Sequence, residues 1–207
     1  MIAFLSTFFT EVWQGILETS LIEGIGVITG ILYLIGISYR KIWGWYFAVL
    51  STSIYVYICF TNKIYIESGL QLFYVFMAFY GFINWNKTKE KEIKIIVWPW
   101  RYHILNIIIS SIIAIALAQI FIAYTDQESP YLDAFSTTFS LLATFMVAKK
   151  VLENWIYWIV IDIILTFLYA SRGLYLTSVH YFVFSVIAIF AFIKWFGKYK
   201  FQEKLLK

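Results

Sequence analysis

The run GLQLFYVFMAFYGFINW, residues 69–85, decides the fold of this chain, because it is largely apolar and contains no charged residue. About 17–25 such residues cross a bilayer as an α-helix. The whole chain of 207 residues is 62% hydrophobic and 14% charged, with a mean hydropathy of +0.79, which is typical of a membrane protein. Seven apolar runs are too long for the strands of a β-barrel and do not alternate between apolar and polar residues. They predict seven transmembrane helices, near 21–38, 43–61, 66–85, 102–124, 131–148, 153–171 and 175–196.

A related run follows 110 residues later in the sequence. The shift aligns Trp45 with Trp155, Tyr65 with Tyr175, Ser68 with Ser178, Phe82 with Phe192, Ile83 with Ile193, and Trp85 with Trp195. Aromatic residues gather at membrane interfaces, so single matches are also explained by similar helix ends. Matches over three helices favour duplication. We therefore predict an all-α membrane protein with two parallel three-helix repeats and one linker helix (3+1+3), and a substrate site near mid-bilayer between the repeats.

This architecture divides the chain into five parts. The first repeat covers 21–85, a cytoplasmic loop and the linker helix cover 86–130, the second repeat covers 131–196, and a basic cytoplasmic tail covers 197–207. In residues 1–20, the run AFLSTFFTEVWQGILE (3–18) pairs apolar residues at helical spacing. It predicts an N-terminal amphipathic helix that lies on the outer surface instead of spanning the membrane.

The basic residues predict the orientation in the membrane. Of the 16 lysines and arginines, 14 lie in alternate connecting segments, namely 40–41, 87–101, 149–150 and 194–207. Lys63 and Arg172 are the two on the opposite side. Because cytoplasmic loops are enriched in basic residues, we predict that the N-terminus lies outside and the C-terminus inside.

Several function classes are excluded by what the sequence lacks. It has no GxxxxGK[ST], GxGxxG, HExxH or GxSxG motif, so nothing supports ATP hydrolysis, dinucleotide binding or these forms of hydrolysis. Cys59 is the single cysteine, and His103 and His180 lie too far apart in sequence to suggest a metal site. We expect a protein that is not an enzyme, with no cofactor, no metal and no nucleic-acid partner.

The main candidate site lies in ENWIYWIVID, residues 153–162, where Trp155, Trp158 and Asp162 share one helical face. Asp162 lies about 14 Å along its helix, near the middle of a core about 30 Å thick, where an unpaired carboxylate is costly. Two indoles and a carboxylate suit a flat solute that is cationic or hydroxylated. The alternatives are a protonated or hydrogen-bonded Asp162 and an ordinary interfacial Trp155.

Further polar residues lie inside the predicted spans. Gln71 and Tyr74 share a helical face, and Gln71 aligns with Tyr181, so we predict that all three line the same cavity. The alternative for Gln71 is an interhelical hydrogen bond. Simpler interpretations cover the others: Asn84 as a helix-end cap, His180 as an outer packing residue, and Glu23 and Asp133 as solvated carboxylates near helix N-termini.

These segments resemble the PnuC family of vitamin transporters over residues 20–196. The resemblance rests on LENWIYWIVID followed by GLYLTS, on YLDAFSTTFSLLATFMVAKK and on GLQLFYVFMAFYGFINW. Its most specific element is the family signature WxxWxxxN/D, matched by Trp155, Trp158 and Asp162. The resemblance implies a SWEET-like fold and a homotrimer in the bacterial cytoplasmic (inner) membrane. It also implies uptake by facilitated diffusion, with the vitamin trapped by phosphorylation in the cytoplasm.

The resemblance also implies a class of substrate. Nicotinamide riboside, a precursor for NAD biosynthesis, combines a flat cationic ring with a hydroxylated ribose, and relatives carry thiamine or riboflavin. The signature often ends in Asn where this chain has Asp162, so nicotinamide riboside and thiamine both stay open. A seven-helix receptor fits the helix count, but it does not fit the repeat or the absence of a long inner loop.

Overall fold

The computed structural model describes residues 2–61, 65–87, 94–125 and 129–205. Eight α-helices account for most of them: α1 Ile2–Glu18, α2 Leu21–Ser38, α3 Trp43–Thr61, α4 Tyr65–Asn86, α5 Trp100–Tyr124, α6 Pro130–Ala148, α7 Asn154–Ser171 and α8 Tyr175–Lys204. In these ranges the β-structure is one isolated parallel bridge between Ile96 and Val151. The described part of the chain is therefore all-helical, as the sequence predicts.

The predicted helices correspond closely to the observed ones. The seven apolar runs become α2–α8 and the amphipathic run becomes α1, with most ends within two residues of the prediction. The exception is α8, which continues past 196 to Lys204. The added residues include lysine, glutamine and glutamate, which favour helix once an apolar run has started one.

Six of the described helices are long and apolar enough to cross a membrane, namely α2, α3, α5, α6, α7 and α8. The fourth helix, α4, is outside this group. A seventh crossing therefore stays a prediction. The isoleucines that α5 exposes, including Ile108 and Ile112, form an apolar surface suited to lipid.

The helices α2 and α6 end in the same way. Arg40 and Lys150 follow them with left-handed φ angles of 58° and 65°. Each turn is closed by a hydrogen bond between residues five positions apart. These bonds run from Lys41 N to Gly36 O (2.8 Å) and from Val151 N to Met146 O (2.9 Å). This is the Schellman motif, whose left-handed residue is usually glycine. The structure therefore keeps a basic residue at both turns in spite of its strained backbone.

Two serine hydroxyls also recur at the 110-residue spacing. Ser68 Oγ donates to Val56 O at 3.0 Å and joins α4 to α3. Ser178 Oγ donates to Thr166 O at 2.8 Å and joins α8 to α7 in the same manner. The triplets α2–α4 and α6–α8 thus share local geometry, and they meet where α2 packs on α8 and α4 packs on α6. Outside the triplets, α5 packs on α6 and α1 packs on α8.

The two triplets differ in how closely their first two helices approach. A Cβ atom on Gly36 would lie 2.5 Å from Gly44 Cα, so only glycine permits this contact between α2 and α3. The aligned residues in the second triplet, Met146 and Asn154, have side chains. Accordingly, α6 and α7 pack less closely along their length than α2 and α3.

Candidate functional site

Four buried tryptophans form a row near the turns that carry Arg40 and Lys150, an end of the bundle that we call the basic end. Trp45, Trp85, Trp155 and Trp195 are each at most 2% exposed. Their ring centroids are separated by 5.4 Å (Trp45–Trp85), 6.1 Å (Trp85–Trp195) and 5.5 Å (Trp155–Trp195). This indole row crosses from one triplet to the other and fills the core at the basic end.

Hydrogen bonds beside the indole row hold the two triplets together. Asn84 Nδ2 donates to Ala148 O at 2.7 Å, and Trp195 Nε1 donates to Ile37 O at 3.2 Å. Lys150 Nζ donates to Asn84 O at 3.3 Å, and burial lowers the pKa of this lysine. Asn84, predicted as a helix-end cap, donates its amide to the carbonyl of Ala148, the last residue of α6, so the helix that it caps is a neighbouring one.

The signature residues lie along the face of α7 that points into the bundle. Trp155 is 1% exposed and belongs to the indole row. Trp158, one turn further along, is half-buried and packs against two apolar clusters. One cluster surrounds the indole row, and the other includes Ala143 and Leu165. The two indoles therefore share one face of α7, as predicted, but Trp155 is fully buried and Trp158 only partly.

Asp162 is buried at 3% exposure on the same face of α7. Thr166 Oγ1 donates to its backbone carbonyl at 2.7 Å. Among the described residues, the carboxylate itself has no hydrogen-bond or ion-pair partner. A carboxylate at this depth is expensive and is characteristic of a functional site. The alternative of a local hydrogen bond to the Asp162 carboxylate is not found in the described part of the chain.

The three remaining predicted residues are half-buried. Tyr181 stacks on Tyr169, with ring centroids 5.3 Å apart and planes 5° apart, and it packs against the same cluster as Trp158. Gln71 and Tyr74 lie on α4, which packs on α3 and α6. Trp158 and Tyr181 therefore pack against one cluster, whereas no close backbone contact joins α4 to α7 in the described ranges.

The end of the bundle opposite the basic end carries an ion pair that the sequence interpretation missed. Arg172 Nη2 lies 3.2 Å from Asp133 Oδ2, and both side chains are only about one-fifth exposed. The interpretation of Asp133 as a simply solvated carboxylate is therefore wrong. The guanidinium also lies 6.0 Å from the ring of Tyr169, which stacks on Tyr181. On α8, the ring centroids of His180 and Phe184 are 4.1 Å apart, so His180 packs against an aromatic side chain.

A cavity of about 530 Å³ lies between α5, α6 and α7. Its α7 lining includes Tyr157, Val160 and Ile164. Because an α-helix has 3.6 residues per turn, Val160 and Ile164 lie on roughly the opposite face of α7 from Trp158 and Asp162, and Tyr157 lies at the side. The cavity, which we call the α5–α7 groove, is thus separate from the signature site. Within the described residues, no group of three or more His, Cys, Asp or Glu is placed to hold a metal ion.

Comparisons with known proteins place this geometry among vitamin carriers. A family model described as nicotinamide mononucleotide transporter matches residues 20–197. The nicotinamide riboside transporter PnuC of Escherichia coli is 24% identical over 200 residues, covering 83% of each chain. The PnuC protein of Neisseria mucosa is 27% identical over 159 residues, covering 73% of this chain and 60% of that one. A crystal structure of the vitamin B3 transporter PnuC superposes with a TM-score of 0.72 at 25% identity, covering 95% of this chain and 89% of that one.

Proposed function

This chain belongs to the nicotinamide mononucleotide transporter family, and from that premise we propose that it takes up nicotinamide riboside by facilitated diffusion. The observation that carries the proposal is the buried carboxylate of Asp162, which has no partner among the described residues and lies on the same helical face as Trp158. Phosphorylation of the solute in the cytoplasm would trap it and supply NAD biosynthesis. The sequence has no nucleotide-binding motif, and in this proposal the solute gradient is the source of free energy.

Each signature residue has a separate role in this proposal. The indole of Trp158 stacks on the flat pyridinium ring and attracts its charge through the π face. The Asp162 carboxylate accepts hydrogen bonds from the ribose hydroxyls and offsets the ring charge. Trp155, whose Nε1 is buried and has no hydrogen-bond acceptor among the described residues, forms the floor of the site toward the basic end. In this proposal Gln71, Tyr74 and Tyr181 line the rest of the solute site between the two triplets.

The proposed architecture gives the site two exits. The triplets α2–α4 and α6–α8 are the two parallel repeats, α5 is the linker, and the basic end faces the cytoplasm. The matching turns at Arg40 and Lys150 and the matching serine bonds support the repeat. The indole row then separates the site from the cytoplasm, and the pair of Arg172 with Asp133 lies at the outer end. We propose a homotrimer by analogy with the family.

Thiamine is the second candidate substrate. A specific residue favours it, because Asp162 supplies a full negative charge where the family signature often has the neutral amide of Asn. Thiamine has a cationic aromatic ring but lacks ribose, so it would use the charge of Asp162 and the indole of Trp158 only. The two substrates therefore differ in their need for an acceptor of ribose hydroxyls.

Uptake into proteoliposomes tests the proposal. We expect labelled nicotinamide riboside to enter empty vesicles until inside and outside concentrations are equal, with no accumulation when a proton gradient is added. Unlabelled nicotinamide riboside should compete more strongly than thiamine. If thiamine competed more strongly than nicotinamide riboside, thiamine would be the substrate. Accumulation above the outside concentration in vesicles without a kinase would exclude uniport.

A further inference from the structure

We propose that the α5–α7 groove holds a membrane phospholipid with a primary-amine headgroup, with one acyl chain in the groove and the ammonium group on Glu153. None of the signature residues Trp155, Trp158 and Asp162 lines the groove. Lipid binding there is consequently independent of which solute the protein carries, and the two proposals fail separately.

The walls of the groove suit an acyl chain. They are formed by aliphatic and aromatic side chains, among them Phe135, Phe139 and Ile161, and the groove extends along α7 from Glu153 to Ile164. Eleven residues of α-helix span about 16 Å, which is close to half of a hydrocarbon core about 30 Å thick. The groove thus has the length of one bilayer leaflet.

The groove also opens sideways toward the surface that faces lipid. Ile156, Val160 and Ile164 on its rim are 45%, 52% and 42% exposed, although all three are apolar. These residues lie on a helix that is apolar enough to span a membrane. A lipid can therefore enter laterally from the bilayer, whereas a polar vitamin would have to cross hydrocarbon to reach the groove.

The end of the groove carries an acidic side chain without a strong cationic partner. Glu153 precedes the first residue of α7, where the helix dipole favours the ionised carboxylate. Its Oε2 accepts a hydrogen bond from Trp98 N at 3.3 Å and lies 3.9 Å from His103 Nε2. No lysine or arginine in the described ranges pairs with it. The nearest lysines in sequence are engaged elsewhere: Lys149 over the ring of Tyr80, and Lys150 with Asn84.

These features together select the headgroup. Glu153 lies beside the basic end, at the level where the headgroups of the adjacent leaflet begin, and it is only 18% exposed. A primary ammonium group can donate three hydrogen bonds and pair with this carboxylate. A quaternary ammonium has no N–H to donate, and an anionic headgroup would be repelled. We therefore expect phosphatidylethanolamine to bind more tightly than phosphatidylcholine or phosphatidylglycerol.

Native mass spectrometry of the purified full chain tests this inference, with the three lipids titrated separately. We expect one saturable phosphatidylethanolamine per chain. Glu153→Gln should weaken its binding at least fivefold and should not weaken phosphatidylglycerol binding, because the repelling charge is gone, whereas Glu203→Gln, in an exposed pair with Lys200, should have no effect. Val160→Phe should displace the acyl chain, and Ile163→Phe, equally bilayer-facing but outside the groove, should not.

Solute binding by each variant serves as the control for folding, since none of these residues lies on the signature face. Equal lipid retention by wild type, Glu153→Gln and Val160→Phe would overturn the proposal. The proposal would also be overturned if the wild type bound no lipid and Val160→Phe lost its oligomeric state. A second copy of the chain would then cover the groove.

Discussion

At the scale of single residues, the signature face of α7 combines two different environments. Trp155 is packed edge-on against Trp195, with planes at 84°, so its indole contributes to the closed core. Trp158 is only partly buried and is therefore the indole with surface left to contact a solute. Asp162 is buried without a partner among the described residues. The residue that should respond most directly to solute binding is Trp158.

Replacing Trp158 with alanine should weaken binding of nicotinamide riboside. Loss of a base–aromatic stack costs about 1–3 kcal/mol, which corresponds to roughly a 5- to 150-fold rise in Kd. Isothermal titration calorimetry measures this change. Trp13→Ala is the control, because Trp13 is 62% exposed on α1 and should leave Kd unaltered. A Kd for Trp158→Ala within about twofold of wild type would contradict stacking as the anchor.

Replacing Asp162 with asparagine separates hydroxyl recognition from charge recognition. An amide oxygen still accepts hydrogen bonds from ribose, so we expect Asp162→Asn to keep most of the affinity for nicotinamide riboside. Thiamine, which has no ribose, should lose affinity more strongly. The measurement is the Kd of both ligands and of an uncharged nucleoside analogue. Equal losses for charged and uncharged ligands would mean that Asp162 only holds α7 in place.

At the scale of helices, close packing depends on a few small residues. Gly81 on α4 lies directly against the indole of Trp45: an added Cβ atom would be 2.3 Å from its ring. The aligned position on α8 is Ala191, which is fully buried. The tolerance for a methyl group at this position therefore differs between the two triplets.

Gly81→Ala should destabilise the protein in spite of the better helix propensity of alanine. Overpacking a core typically costs about 1–3 kcal/mol, which exceeds the gain of about 1 kcal/mol from replacing a helical glycine. Thermal unfolding in detergent should show a lower Tm. The control is Gly197→Ala on α8, where a Cβ meets nothing within 4 Å and Tm should stay or rise. A raised Tm for Gly81→Ala would show that Trp45 moves at little cost.

At the scale of the whole molecule, charge is segregated between the two ends. The basic end holds Arg40, Lys149 and Lys150, and the left-handed turns keep two of these residues where glycine would be less strained. The opposite end holds Arg172, which is paired with Asp133. Because basic residues are enriched in cytoplasmic segments, this distribution predicts the direction in which the protein is inserted.

Cysteine labelling from outside the cell measures this orientation. In a Cys59→Ala background, Ser129→Cys at the start of α6 should react with a membrane-impermeant maleimide in intact cells. Lys149→Cys at the basic end should react only after the membrane is permeabilised. The opposite pattern would invert the topology and would also place the indole row on the outer side of the site.

The sequence by itself determined the helices and the face of α7 that carries Trp155, Trp158 and Asp162. Both follow from local composition and from the 3.6-residue period, since a backbone in lipid must satisfy its hydrogen bonds within its own helix. The 110-residue alignment also paired the tryptophans of the indole row, but a match in sequence does not say that aligned residues touch.

Contacts between the triplets were decided only by the tertiary structure. Trp195 Nε1 reaches Ile37 O across 158 residues of sequence, and Asn84 reaches Ala148 across 64. The groove beside α7 is likewise formed by side chains of three separate helices, α5, α6 and α7. Such features depend on distances between separate helices, and those distances are set by the side-chain volumes of all the packed helices at once.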